Sequence, residues 1–248
     1  MFEDLKPHLI DLRKRLTISI IALIVMFFVC YGFWEMILQI ILAPLIDVLP
    51  KDTKPVFIQV GEGFLTAVKV SFFSAFIISL PIIFWQLWLF VAPGLYSNEK
   101  KLILPFVFFA TLMFLLGVLF AYFIVIPYGL AFLITFGNES GMFNAMPSIG
   151  YYVTFFARFM IGFGIAFELP VVCFFLAKIG LITDQTLIKF FRIAIVLIFI
   201  LAAFLTPPEV TTQILMALPL IVLYGVSIII VRFVNPEKES DNLDSNDE

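Results

Sequence analysis

A few acidic and amide side chains stand out because of where they sit in a chain that is 62% hydrophobic and 13% charged. Glu99 lies in "LYSNEKKLIL", a short polar gap between two long apolar runs, directly before Lys100 and Lys101. The lysines suit a membrane flank, but no carboxylate is needed to end or orient a helix. What a carboxylate can do there is accept paired, charge-assisted hydrogen bonds from guanidinium groups. Asp11, in "PHLIDLRKRL", is spaced by three or four from His8 and Arg15, and Leu12 by three from Arg15, which places them on one side of a helix. By itself that pattern reads as a surface helix with an internal Asp11–Arg15 pair, worth only about 0.2–0.5 kcal/mol. Glu168 stands about ten residues before Lys178, hence roughly 15 Å inside an apolar stretch. A carboxylate at such depth costs at least ~2.5–3.5 kcal/mol on insertion scales. It is either a protonated acid bonded to a backbone carbonyl near Pro170, or a polar docking point or proton site, and intramembrane ionisable groups default to function. Arg158 is no partner for it, because ten positions separate them by roughly 280° and ~15 Å; it reads as a snorkelling side chain, and Lys69 as an interfacial anchor. Gln213 follows "LTPPEVTT", where Pro207-Pro208 force a turn and Glu209, Thr211 and Thr212 offer capping oxygens. A tight turn accounts for Glu209. Thr206 and Gln213 stay open, since a short span would bring both near the membrane interior.

Several chemistries lack their residues. No G-x-x-x-x-G-K-[ST] phosphate loop occurs, and no G-x-S-x-G or H-E-x-x-H. His8 is the single histidine, so a Ser–His catalytic pair within the apolar runs has no base. No catalytic residue, metal or cofactor is expected, and enzyme is the class these residues support least. Cys30 and Cys173 fall inside apolar runs, where cysteine behaves as a small buried hydrophobe.

The elements that must position these groups are membrane helices. With 32 Phe and runs such as Leu16–Phe33, apolar on every side, the chain reads as an all-α polytopic membrane protein. Six spans are predicted, at about Leu16–Trp34, Val70–Val91, Leu102–Ile126, Tyr151–Ala177, Ile193–Leu205 and Ile214–Val231. The first is preceded by Arg13-Lys14-Arg15 but is too long for a signal-peptide core. Pro44, Pro50, Pro55, Gly61 and Gly63 punctuate the first long gap, and Tyr128–Phe136 reads as an apolar piece along the interface. Kinks are expected at Pro81 and Pro170. The fifth run is only 13 residues, about 20 Å by helical rise, short of a ~30 Å hydrocarbon core. Placing the N-terminus in the cytoplasm puts eleven lysines and arginines on that side and only Lys51 and Lys54 on the other. Residues 1–235 then form a single transmembrane domain, and 236–248 an acidic disordered cytoplasmic tail.

Six separated stretches, "HLIDLRKRL", "LAPL", "FWQLWLFVAPGLYSNEKK", "FLLGVLFAYFIVIP", "FGIAFELPVV" and "LTPPEVTTQILMALPL", closely resemble the TatC family, the multispanning receptor subunit of the twin-arginine protein translocase. The resemblance leaves out only the acidic tail. It implies six transmembrane helices in a concave, glove-like bundle, the last two spans short and both termini cytoplasmic, in the bacterial cytoplasmic (inner) membrane. It implies recognition of signal peptides bearing two consecutive arginines on folded cargo, with export driven by the proton-motive force. Single-span TatA and TatB subunits, other copies of the chain and membrane lipid are the implied partners, with no nucleic acid among them. By position, Glu99 matches the loop acid that receives the arginine pair, and Asp11 the N-terminal acid, usually Glu, that completes the site. Arg13 matches a family arginine, and Phe90 and Tyr96 the aromatics flanking the loop. Glu168, Thr206 and Gln213 match the intramembrane polar region where TatA or TatB helices dock, and Pro44 a periplasmic structural "APL" element. The alternative from the residues alone is a six-span secondary transporter or ion carrier, which Glu168 and broken helices would also suit.

Overall fold

A backbone N–H or C=O left open in hydrocarbon finds no water, so apolar runs of this length must fold as helix or closed barrel. This chain folds as helix. The structure, a computed structural model, describes residues 2–50, 53–91, 103–138, 146–206 and 210–234. In chain order the helices are α1 (Phe2–Gly32), α2 (Trp34–Val48), α3 (Glu62–Val91), α4 (Ile103–Phe120), α5 (Ile126–Asn138), α6 (Ile149–Phe167), α7 (Leu169–Lys178), α8 (Asp184–Leu205) and α9 (Val210–Val234). A π-helical turn, Ala121–Val125, joins α4 to α5. Six stretches are long and apolar enough to cross a membrane: Leu9–Gly32, Glu62–Phe90, Leu104–Phe136, Ile149–Lys178, Asp184–Leu205 and Val210–Val234. That matches the six expected spans. No strand occurs among the described residues, only a single parallel bridge between Val56 and Ser148.

Several elements differ in detail from the sequence reading. The first long gap holds a helix that the sequence reading did not draw, α2, with Pro44 inside it. Residues 128–136 are helical in continuation of the third span, and the π-helical turn ends two residues before Pro127. A proline ring clashes with the carbonyl four residues earlier, and widening the turn relieves that clash. α8 is 22 residues and not 13, because Thr183 caps it and polar residues build its first turns. Its side chain accepts from the Thr186 N–H at 3.3 Å. α8 remains the shortest of the six spans, while α9 has 25 residues. α3 is unbroken through Pro81, whereas the fourth span is interrupted at Glu168, just ahead of Pro170.

The chain divides into two compact units, one of Met1–Leu112 with Tyr122–Arg158, the other of Met113–Ala121 with Phe159–Glu248. In the first, α1 packs along α3, and α2 against α3 and α5. Val70, Ala75, Tyr152, Val153 and Phe156 are buried there, with Phe73 meeting Phe156 edge-on at 6.0 Å. Most of α1 beyond this contact is exposed and apolar, as a lipid-facing surface must be.

In the second unit α7 and α8 pack on α9. Glycine brings α4 and α6 together: a Cβ on Gly117 would stand 2.5 Å from the Phe163 carbonyl oxygen, and one on Gly164 2.4 Å from the Phe114 ring. Small residues at membrane helix contacts allow this approach, which is where dispersion acts most strongly. α7 ends in a left-handed Gly180, φ 76°. Its N–H bonds the Ala177 carbonyl and that of Leu181 the Leu176 carbonyl, both at 2.9 Å, satisfying two carbonyls the helix leaves open. Cys30 and Cys173 are both buried thiols, as their setting predicts.

Candidate functional site

The residues singled out by sequence fall into three groups. At the N-terminal end, Asp11 is half-buried on α1 and its Oδ2 accepts from Arg15 Nε at 2.7 Å, so the intrahelical pair is formed. Arg13, two positions on, is exposed. Phe90 is half-buried in the last turn of α3. Tyr96 and Glu99 lie outside the described residues, so the structure does not place the loop acid.

The second group lies in the unit built on α9. Glu168 is the residue between α6 and α7; its carbonyl accepts from the Val172 N–H at 2.8 Å, and its Oε1 is buried without a hydrogen-bond partner. Thr206 ends α8, is 8% exposed, and turns its hydroxyl back to the Ala202 carbonyl at 2.9 Å. Gln213, in the first turn of α9, donates from Nε2 to the Phe199 carbonyl of α8 at 3.0 Å. Thr206 and Gln213 thus both bond carbonyls of α8, and Thr212, next to Gln213 in sequence, buries an unpartnered hydroxyl. Glu168 makes no hydrogen bond to either. Gly162 of α6 packs on Leu205 and Met216. Glu168 lies six residues further along, about 9 Å by helical rise. The polar groups are strung along this unit and do not converge on a point.

Pro44 belongs to the third group. It has no N–H, so the Ile40 carbonyl loses its helical donor. Tyr122 Oη donates to that oxygen at 2.9 Å, and Tyr152 Oη to the next carbonyl, Ile41, at 2.7 Å. The proline thus exposes backbone acceptors, and two phenols from α6 and the π-helical turn fasten α2 through them.

Glu62 was missed by the sequence reading, which saw only its flanking glycines as loop punctuation. It opens α3 and is 8% exposed. Its Oε2 accepts from the Ile58 and Gln59 N–H groups at 2.6 and 3.0 Å. Its Oε1 accepts from the Gly150 N–H at 2.7 Å and from the Ser148 hydroxyl. Next to it Val56 and Pro147–Ile149 exchange backbone bonds of 3.1 and 3.0 Å. One carboxylate therefore ties the turn before α3 to the start of α6. A Glu at the first position of a helix that follows a turn was the available signal, since acids favour a helix N-terminus.

Among the described residues no group of three or more His, Cys, Asp or Glu could hold a metal. Six long apolar helices define a multi-pass helical membrane protein. The chain belongs to the TatC family: the family described as Sec-independent protein translocase protein (TatC) matches residues 7–219. It is 57% identical over 246 residues to the Sec-independent protein translocase protein TatC of Campylobacter jejuni subsp. jejuni serotype O:2, covering 97% of this chain and 100% of that one. With the TatC of Helicobacter pylori strain J99 it shares 53% over 250 residues, 100% of this chain and 96% of the other. A crystal structure of the twin-arginine translocase receptor TatC superposes with a TM-score of 0.84 at 37% identity, covering 92% of this chain and 99% of that one.

Proposed function

We propose that the chain is the signal-peptide receptor and core subunit of a Sec-independent translocase, exporting folded proteins across the bacterial cytoplasmic membrane on the proton-motive force. The observation that supports this most is the likeness to the twin-arginine translocase receptor, which runs over 92% of the chain. The excess of lysine and arginine on one set of connecting segments supports an orientation with both termini cytoplasmic. In that orientation Glu99 receives the arginine pair, with Asp11, Arg13, Phe90 and Tyr96 around it. Because Arg15 already holds Asp11 Oδ2, an incoming guanidinium at Asp11 exchanges with it, which makes Asp11 the lesser contact. Glu168, Thr206 and Gln213 dock the single spans of TatA or TatB.

Hydrogen bonds to charged groups contribute about 1.5–3 kcal/mol each, so two supply about 3–6 kcal/mol. Millimolar affinity already requires about 4 kcal/mol. The arginine pair therefore selects, and burial of the signal's apolar segment at about 25 cal/mol per Å² must hold. Binding of matched Arg-Arg and Lys-Lys signal peptides to the purified chain tests this. Glu99→Gln should lower the Arg-Arg preference about tenfold, the equivalent of ~1.4 kcal/mol. Glu168→Ala should weaken crosslinking to TatA or TatB and leave peptide binding unchanged. A Glu99→Gln variant that kept the full preference would remove Glu99 from the receptor role.

A further inference from the structure

Two cations of the first unit, Lys69 and Arg158, take no part in the proposed arginine site or partner dock. Lys69 on α3 donates from Nζ to Thr154 Oγ1 of α6 at 2.9 Å, and Thr154 in turn donates to the Gly150 carbonyl at 2.8 Å. Arg158 follows Thr154 by one helical turn on α6 and is exposed. Among the described residues neither cation has a carboxylate partner. Glu62, the acid one or two turns away, is occupied by Ile58, Gln59, Ser148 and Gly150.

Their depth can be worked out. Because Glu62 bonds Gly150 and, further along both helices, Lys69 bonds Thr154, α3 and α6 begin level with each other and run the same way. Candidate spans of 29 and 30 residues are about 44 Å long by helical rise and exceed a ~30 Å hydrocarbon core by about 7 Å at each end. Lys69 lies about 10 Å and Arg158 about 13 Å from the helix starts, hence ~4–7 Å below the hydrocarbon edge. Helical side chains lean toward the helix N-terminus, so both reach toward that same edge. Stems of this length bring an ammonium and a guanidinium up to the headgroup level. The neighbouring surface is apolar and open: Leu65 and Phe72 flank Lys69 at 52% and 53% exposure, and Tyr151 stands one turn before Thr154 at 74%. This is a lipid-facing surface with an interfacial tyrosine above two positive charges.

We infer that Lys69 and Arg158, with Thr154 fixing the lysine, form a binding site for the phosphate of one anionic phospholipid, in the leaflet on the side where α3 and α6 begin. The guanidinium offers a planar fork for two phosphate oxygens. The ammonium, one of its three donors held by Thr154, keeps two for the lipid. The apolar residues beside the pair take the acyl chains.

Native mass spectrometry of the delipidated full chain in detergent, titrated with phosphatidylglycerol or phosphatidylcholine, tests the site. The wild type should retain one more phosphatidylglycerol than phosphatidylcholine. Lys69→Gln with Arg158→Gln should lose that lipid, its affinity falling about tenfold or more. The charge-preserving pair Lys69→Arg with Arg158→Lys should keep it, which separates a lost site from a lost fold. Thermal melting provides a second reading, with phosphatidylglycerol raising the Tm of the wild type and not of the Gln pair. Equal retention by wild type and Gln pair would overturn the proposal. So would equal stabilisation by inorganic phosphate, or an anion-independent preference satisfied by phosphatidylcholine. Retention that appears only with a co-purified single-span protein would give the cations to a partner's acid instead and would equally overturn it.

Discussion

Glu62 shows how much one side chain can organise when every acceptor position is used. Its two oxygens take three backbone N–H groups and one hydroxyl, joining residues 86 and 88 positions apart in sequence. A carboxylate suits four converging donors because it accepts and never donates. Glu62→Gln should therefore lower the Tm in detergent, since its amide turns an N–H₂ toward donors. Glu62→Ala should lower it further by stranding all four, and Ser148→Ala should have the smallest effect. Gly150→Ala supplies a steric control: a Cβ there would lie 2.8 Å from Glu62 Cγ and Oε1, so the Tm should fall although no donor is lost. An unchanged melting curve for Glu62→Gln would show that the carboxylate does not hold the turn. None of this was legible from "GEG". The glycines signalled a joint, but the partners of the acid come from a distant segment, and no local pattern announces them. Asp11 is the opposite case, because its partner Arg15 is one turn away and the spacing alone predicted the pair.

At the level of the element, the count of spans and the break ahead of Pro170 were readable, because apolar length and proline act locally. α2 was not. A proline followed by two more reads as punctuation of a joint, and the Tyr122 and Tyr152 hydroxyls that bond the carbonyls of Ile40 and Ile41 come from distant segments. α8 was read too short for a related reason: the apolar run marks what lipid covers, whereas helix continues through any polar residues that a cap can start. The α2 arrangement makes a sharp prediction. Tyr122→Phe should destabilise by about 0.5–1.5 kcal/mol, the usual net worth of one hydrogen bond. In a Pro44→Ala background residue 44 regains an N–H that can serve the Ile40 carbonyl, and the same Tyr122→Phe change should then cost less than about half as much. The double-mutant cycle, measured by denaturant or thermal unfolding in one detergent, checks it; equal penalties in both backgrounds would mean that Tyr122 does not replace the missing backbone donor. The sequence left Thr206 and Gln213 open, and it could not show that both are satisfied locally while Glu168 Oε1 is not.

For the whole molecule, the family assignment leaves the sidedness to be established by experiment. Single cysteines at Thr53 and Gln185 separate the two orientations: with the N-terminus cytoplasmic, an impermeant thiol reagent added outside should label position 53 and spare position 185 until the membrane is opened. The reverse pattern would put the proposed arginine site on the wrong side for cargo awaiting export. Length also has a consequence for the molecule's setting. The helical stretch Leu104–Phe136 has 33 residues, about 50 Å by rise, and even a 40° tilt would reduce its vertical extent only to about 38 Å. A hydrocarbon core of ~30 Å therefore leaves about 8 Å of it uncovered. The end that carries exposed Tyr128 and Phe136, with Phe132 stacked on Phe136 at 5.9 Å, is chemically suited to lie among headgroups. Hydrophobic mismatch is thus built into the third span, and longer acyl chains would draw more of that aromatic end beneath the surface, making the protein responsive to bilayer thickness.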